Sequence, residues 1–123
     1  MTVRVLLLLS LCIITGCASS GEFRSTADII AEEVLTLDPD ADIFRFDDVI
    51  YQTNIDWVDE LTLTKDVQIG EIKTKNNTNT DFENEMANKL PVGAKIFSAK
   101  ERNDILLVEI NGDILKYLAI VEG

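Results

Sequence analysis

Two thiols and a large set of carboxylates are the side chains of this sequence best suited to chemistry. Cys12 lies inside the apolar run Val5 to Thr15, and Cys17 follows it directly in Ile14-Thr15-Gly16-Cys17-Ala18-Ser19-Ser20-Gly21. A thiolate is the strongest side-chain nucleophile, so Cys17 reads as a buried core thiol, a disulfide partner of Cys12 or a point of covalent attachment. The carboxylates include the adjacent pairs Glu32-Glu33 and Asp47-Asp48 and the alternating set Asp38-Pro39-Asp40-Ala41-Asp42. An adjacent pair does acid and base work only where burial drives the two pKa values apart, and neighbours in a turn or on a wet helix face stay solvated. The chain has no histidine, which removes the usual general base and the commonest metal ligand. No glycine-rich phosphate loop and no nucleophile elbow occur. The expectation is therefore not an enzyme and no cofactor; the one catalytic form left open is a carboxylate-dependent hydrolase built on a buried, convergent acid pair.

Asp38, Asp40 and Asp42 are the candidate metal ligands, since alternating carboxylates can converge on calcium. The rest of the loop departs from the EF-hand, with Ile43 where the sharp turn needs glycine and Val49 where a bidentate glutamate belongs. The sequence accordingly predicts a solvated turn and no metal site, with calcium binding kept as the alternative function. Trp57 and Tyr51 are the candidate binding residues, able to form a stacking platform, although packing against a sheet is the expected fate of both. Asn76-Asn77-Thr78 matches a glycosylation sequon.

The elements that must position these groups begin with the N-terminal segment. Met1 to Arg4 carries one positive charge, and the apolar run after it is shorter than the roughly 20 residues that cross a bilayer. Ile14-Thr15-Gly16-Cys17 resembles the bacterial lipobox, with Thr15 where alanine or serine is more usual. The resemblance implies diacylglycerylation of the Cys17 thiol and cleavage of the signal between Gly16 and Cys17. It assigns residues 1–16 to a removed lipoprotein signal peptide, 17–24 to a lipidated tether and 25–123 to a single acidic domain. Cys12 would leave with the signal, which closes the disulfide reading. Two acyl chains hold a protein stably where one does so only reversibly. The implied location is the cell membrane, lipid-anchored on its extracytoplasmic face.

All 22 acidic residues and all the basic residues but Arg4 lie after Cys17, within a chain whose net charge is −11. Such a charge repels nucleic acid and anionic headgroups and leaves cations or basic surfaces as partners. The expected partners are the membrane, through the lipid, and an envelope protein or wall component, with no nucleic acid.

Ser25 with Asp28 makes a capping-box start, and Ala27, Ile30, Ala31, Val34 and Leu35 share one face of a helix from Thr26 to about Leu37, stopped by Pro39. Strands follow at 42–46 and 49–53 around Asp47-Asp48, then a helical turn at 55–61 capped by Asn54, and a strand at 67–73 with a bulge at Gly70. Residues 74–80 read as a loop. Leu90-Pro91-Val92-Gly93 turns into a strand at 95–99. Asn111-Gly112 then closes a two-residue hairpin of 105–110 with 113–121, pairing Val108 with Leu115 and Leu106 with Tyr117 and setting Glu109 diagonally from Lys116.

The predicted fold class is α+β, mainly β: a small antiparallel sheet or partly open SH3-like barrel with an N-terminal helix and one short helix. The region from Leu90 onward is similar to the last strands of bacterial SH3-like domains. The domain as a whole, through "DADIFRFDDVIY", "IDWVDEL", "VGAKIF" and "YLAIVEG", resembles small uncharacterised lipoproteins of Bacillus-type bacteria, a resemblance that implies no particular activity.

Overall fold

A computed structural model describes residues 25–121. The signal segment, the Gly16/Cys17 cleavage point, the Cys17 lipidation site and the 17–24 tether lie outside the described residues.

Helix α1, Thr26–Leu37, begins with the expected capping box: Ser25 Oγ accepts from Asp28 N at 3.3 Å, and the Asp28 carboxylate accepts from Ser25 N at 3.1 Å. This satisfies two otherwise orphaned N–H groups. The helix buries Ala27, Ile30 and Ala31 and ends where Asp38 N donates back to Val34 O, one residue before Pro39.

Strands β1, Ile43–Phe46, and β2, Val49–Gln52, form an antiparallel hairpin with Phe46 opposite Val49. Its two turn residues, Asp47 and Asp48, both have positive φ, 51° and 64°. Aspartate tolerates that region better than most residues, which is why this pair closes a two-residue hairpin without glycine. Helix α2, Asp56–Asp59, departs from expectation at its start: Ile55 is the N-cap and makes no side-chain cap bond, while Asn54 takes φ 65° and turns the chain before the helix.

The remaining strands are β3 (Lys65–Glu71), β4 (Thr74–Lys75), β5 (Met86–Ala87), β6 (Lys95–Ala99), β7 (Ile105–Ile110) and β8 (Asp113–Ile120). With β1 and β2 they make one eight-stranded sheet in the order β3-β6-β7-β8-β2-β1-β5-β4. The fold is α+β and mainly β. Two details differ from expectation. The sheet is mixed, because β4 runs parallel to β5, and β4 and β5 fall in stretches read as loop or left unassigned. Strands of two residues carry no periodicity to read.

The curl of the sheet follows from the order. Its two terminal strands, β3 and β4, are separated in sequence only by Ile72 and Lys73. Ile72 N donates to Ala94 O beside β6, and Lys73 N to Glu85 O beside β5, each at 2.8 Å. One bent stretch of chain therefore links the two ends of the sheet into a half-barrel. The bend uses register shifts near Gln68 and Gly70, in keeping with the bulge expected at Gly70. A Cβ at Gly70 would lie 2.7 Å from Phe46 Cε1 and 2.7 Å from Glu85 Oε2, so only glycine lets the β1–β2 hairpin approach this closely.

Inside the curl lie Phe44, Tyr51, Ile72, Ile96, Leu106, Val108 and Tyr117. A second cluster joins α1 to the sheet through Ile30, Ile43, Ile50 and Phe82, and a third packs Val58 of α2 on Ile105 and Leu107. The β7–β8 register is the expected one, with Val108 opposite Leu115 and Leu106 opposite Tyr117. Glu109, however, pairs with Lys65 at 3.2 Å, and Lys116 instead donates to the carbonyls of Asp59 and Leu61, tying β8 to the end of α2.

Candidate functional site

A cleft of about 820 Å³ opens between the tip of the β1–β2 hairpin, the outer part of β3 and the β6–β7 loop. Phe46 and Asp47 come from the hairpin, Asp66 and Ile69 from β3, Lys100 to Asp104 from the loop, and Tyr51 and Leu106 from the barrel interior. Each wall is set by a local feature already described: positive φ at Asp47, the bulged β3, and the turn that returns β6 into β7.

The loop wall is held by charge-assisted bonds. Thr64 donates to the Glu101 carboxylate through N at 2.8 Å and Oγ1 at 2.7 Å, which holds the Glu101 pKa below its ordinary value. Arg102 grips Asp104 with two parallel bonds of 2.8 Å, and this hydrogen bonding depresses the Asp104 pKa. The Arg102 guanidinium also lies 5.3 Å from the centre of the Trp57 ring. Asp47 and Asp66 make no hydrogen bond or ion pair among the described residues. Four carboxylates therefore face two cations across the cleft, and the two unpaired acids leave the site negative.

Tyr51 is the buried polar residue here. It is 8% exposed, its ring stacks on Phe44 at 5.3 Å and 14°, and Phe44 in turn meets Tyr117 at 4.9 Å. Its hydroxyl has no hydrogen-bond partner among the described residues. Burial raises its pKa, and the charges of Asp47 and Asp104 raise it further, so the phenol stays protonated and presents an O–H donor.

The two aromatic candidates thus part company. Tyr51 is packed inside as expected and reaches the cleft floor. Trp57 corrects the expectation of packing: it is 48% exposed on α2, because the inward position of that single turn is taken by Val58. The pair forms no joint stacking platform. What sequence reasoning missed is Asp66, Ile69 and the Glu101–Asp104 loop, which are ordinary strand and turn residues until the curl brings them opposite Tyr51.

The acidic loop does not converge on a cation. Asp38 Oδ1 accepts from Asp40 N at 3.1 Å, a local turn bond, whereas Asp42 Oδ1 accepts from the Tyr117 hydroxyl at 2.8 Å. Asp40 is exposed. Among the described residues no group of three or more His, Cys, Asp or Glu is placed to hold a metal ion. Glu32 and Glu33 are exposed on α1. In the hairpin, Asp48 bonds Arg45 at 2.9 Å and Asn84 at 3.2 Å, leaving Asp47 to the cleft. The Asn76 side chain is used within its own loop, accepting from Thr78 N and Oγ1 and donating to Asn79 and Asp81.

No protein-family model matches the chain, and no solved structure matches it. An ATP-dependent RNA helicase HrpA of Borreliella burgdorferi is 33% identical over 63 residues, which cover 50% of this chain and 8% of the helicase. The chain therefore corresponds to a small part of that relative's length.

Proposed function

We propose that this protein is a membrane-anchored lipoprotein of the cell envelope, tethered through Cys17 on the extracytoplasmic face, whose acidic domain is an interaction module for an envelope protein or wall component. The observation that carries the anchor is Ile14-Thr15-Gly16-Cys17 directly after a short apolar run with one basic residue before it. The cleft floored by Tyr51 supports the module reading, since a concave site with a few polar groups is where a small domain binds. The domain's negative charge supports a cationic or neutral partner over nucleic acid. The partial likeness to a helicase does not bring ATP hydrolysis with it, as the chain has no phosphate-binding loop.

The anchor is tested by metabolic labelling with a clickable fatty acid. Cys17→Ser is expected to abolish incorporation and to leave an uncut or released protein; normal anchoring of that variant would overturn it. The module is tested by capture from detergent-solubilised membranes. A reproducible partner is expected, and none in repeated captures counts against the reading.

A further inference from the structure

We infer that the cleft takes a short, extended, Lys- or Arg-bearing segment of a partner protein, laid along the free edge of β3. The inference rests on the module reading above and names the partner's chemistry. Three independent features converge on it. First, β3 is the terminal strand of the sheet, so one of its edges pairs with no strand among the described residues. Val67 and Ile69 stand 58% and 40% exposed on it. Free strand edges are the usual templates for adding a peptide strand through main-chain hydrogen bonds. Second, Asp47 and Asp66 face the cleft without ion-pair partners, on opposite walls of it. They complement cationic side chains on an occupant and repel anionic wall polymers. Third, Tyr51 lines the cleft floor, and its hydroxyl makes no hydrogen bond among the described residues. An added strand supplies a carbonyl acceptor for this donor in place of solvent.

The same geometry limits the occupant. The register shifts near Gln68 and Gly70 interrupt the strand. Bulges of this kind blunt strand pairing, so only a few residues add. Arg102, which lines the cleft, also lies over Trp57, so an occupant that moves Arg102 alters the surroundings of the single tryptophan of the chain.

Trp57 emission therefore reports binding. The full chain in detergent micelles is titrated with a peptide of about ten residues alternating Lys and Val, the length of a typical added strand with flanks. Two control peptides accompany it, one with Glu in place of Lys and one N-methylated at alternate main-chain amides. The Lys–Val peptide is expected to bind saturably, and the N-methylated peptide about tenfold more weakly or worse. The Glu peptide is expected to give no saturable signal. The double variant Asp47→Asn/Asp66→Asn is expected to weaken binding by about tenfold, and Tyr51→Phe by several-fold, each with an unchanged circular dichroism spectrum. Asn tolerates positive φ at position 47, so the double variant retains the hairpin.

Equal binding of the Glu or N-methylated peptide, or no binding of the Lys–Val peptide up to millimolar concentration, would overturn the inference. Insensitivity to all three substitutions would do the same. If the peptide fails while membrane capture still yields a partner, the module reading stands and the extended basic segment falls. Failure of both assays removes both. Co-sedimentation with purified cell wall that is lost in Tyr51→Phe and untouched by the peptide would assign the cleft to a wall component instead.

Discussion

The β7–β8 hairpin and β3 belong to one sheet yet stand in opposite situations. In β7, Leu106 and Val108 face the barrel interior while Ile105 and Leu107 face the α2 side, so both faces of the strand are covered. In β3, Val67 and Ile69 are exposed, one edge has no strand beside it among the described residues, and the ladder to β6 breaks register twice. A strand buried on both faces carries stability, because each side chain removes apolar area from water. A strand exposed on a face and an edge contributes little to stability and is left available for contact. The comparison teaches that the sheet separates a side covered on both faces from an exposed side by curling, and that the bent β3–β4 segment is where the two meet.

The sharpest way to break that comparison is to truncate a side chain at the centre of the barrel. Tyr117 is fully buried, meets Phe44 ring to ring and donates its hydroxyl to Asp42. Tyr117→Ala is expected to cost about 4 kcal/mol, combining lost transfer energy with a cavity the surrounding strands cannot fill. Urea denaturation of the full chain in detergent checks it, and a loss under about 1 kcal/mol would mean that β8 is not the structural strand described.

Arg45 tests the join between the two sides. Its side chain is 13% exposed and bonds Asp28 of α1 at 3.1 Å, Asp48 of the turn at 2.9 Å and the Phe82 carbonyl at 2.8 Å. Its Nε has no partner among the described residues, which offsets part of the gain. Arg45→Met is expected to cost about 2 kcal/mol, less than a fully buried pair, because Asp48 remains open to water and keeps its solvation. Double-mutant cycles with Asp28→Asn and Asp48→Asn are expected to give the larger coupling for Asp28, the less exposed partner.

These two regions were also unequally legible in the sequence. Asn111-Gly112 fixed the β7–β8 register to the residue, since a two-residue turn with positive φ leaves one pairing, and Ser25 with Asp28 placed the start of α1. The cleft was not legible. The β1–β2 hairpin that carries Asp47 and Tyr51, the strand of Asp66 and the loop of Arg102 are separate in sequence and are brought together by the curl, which depends on β4 and β5, strands of two residues each. Asp42 shows the same limit in reverse: it belonged to an alternating acid pattern, yet the strand that follows turns it inward to Tyr117. The exposure of Trp57 was hidden because a one-turn helix has a single inward position, and nothing local says whether Trp57 or Val58 holds it.

Gly70 stands at the boundary itself. Gly70→Ala would push against the Phe46 ring and the Glu85 carboxylate, whose Oε2 accepts from Glu71 N at 3.0 Å. The expected cost is about 1–2 kcal/mol, since the carboxylate can swing aside and the ring must shift. If the bend at Gly70 positions the cleft, the loss is accompanied by weaker binding of the basic peptide; loss of stability with unchanged binding would separate closure of the barrel from formation of the site.

Asp42 gives a smaller effect with a defined sign. Burial raises its pKa above the ordinary 3.8, against the opposing hydrogen bond from Tyr117 and the charge of Lys89. The folded chain therefore holds this proton more tightly than the unfolded chain does, and Asp42 makes stability fall as pH rises from about 4 through its folded pKa. Asp42→Asn keeps an acceptor for the Tyr117 hydroxyl and removes the ionisation. The variant is expected to match the parent near pH 3 and to equal or slightly exceed it at pH 7, with a flatter profile between. A variant clearly less stable than the parent at pH 7 would show that the charge of Asp42 is favourable in the fold.

The smallest expected effect tests the exposed side of the comparison. Val67 is 58% exposed on β3, with its amide N donating to Ser98 Oγ at 3.2 Å. Val67→Thr keeps the β-branched shape and that main-chain bond while replacing a methyl that faces water. Stability is expected to change by no more than about 0.5 kcal/mol in either direction, as for other surface positions without special contacts. Affinity for the basic peptide is expected to fall by more than the stability change alone implies, because an added strand would cover this side chain. A Val67→Thr variant that loses stability on the scale of Tyr117→Ala would mean that β3 is structural after all, and that its exposure is not what sets it apart.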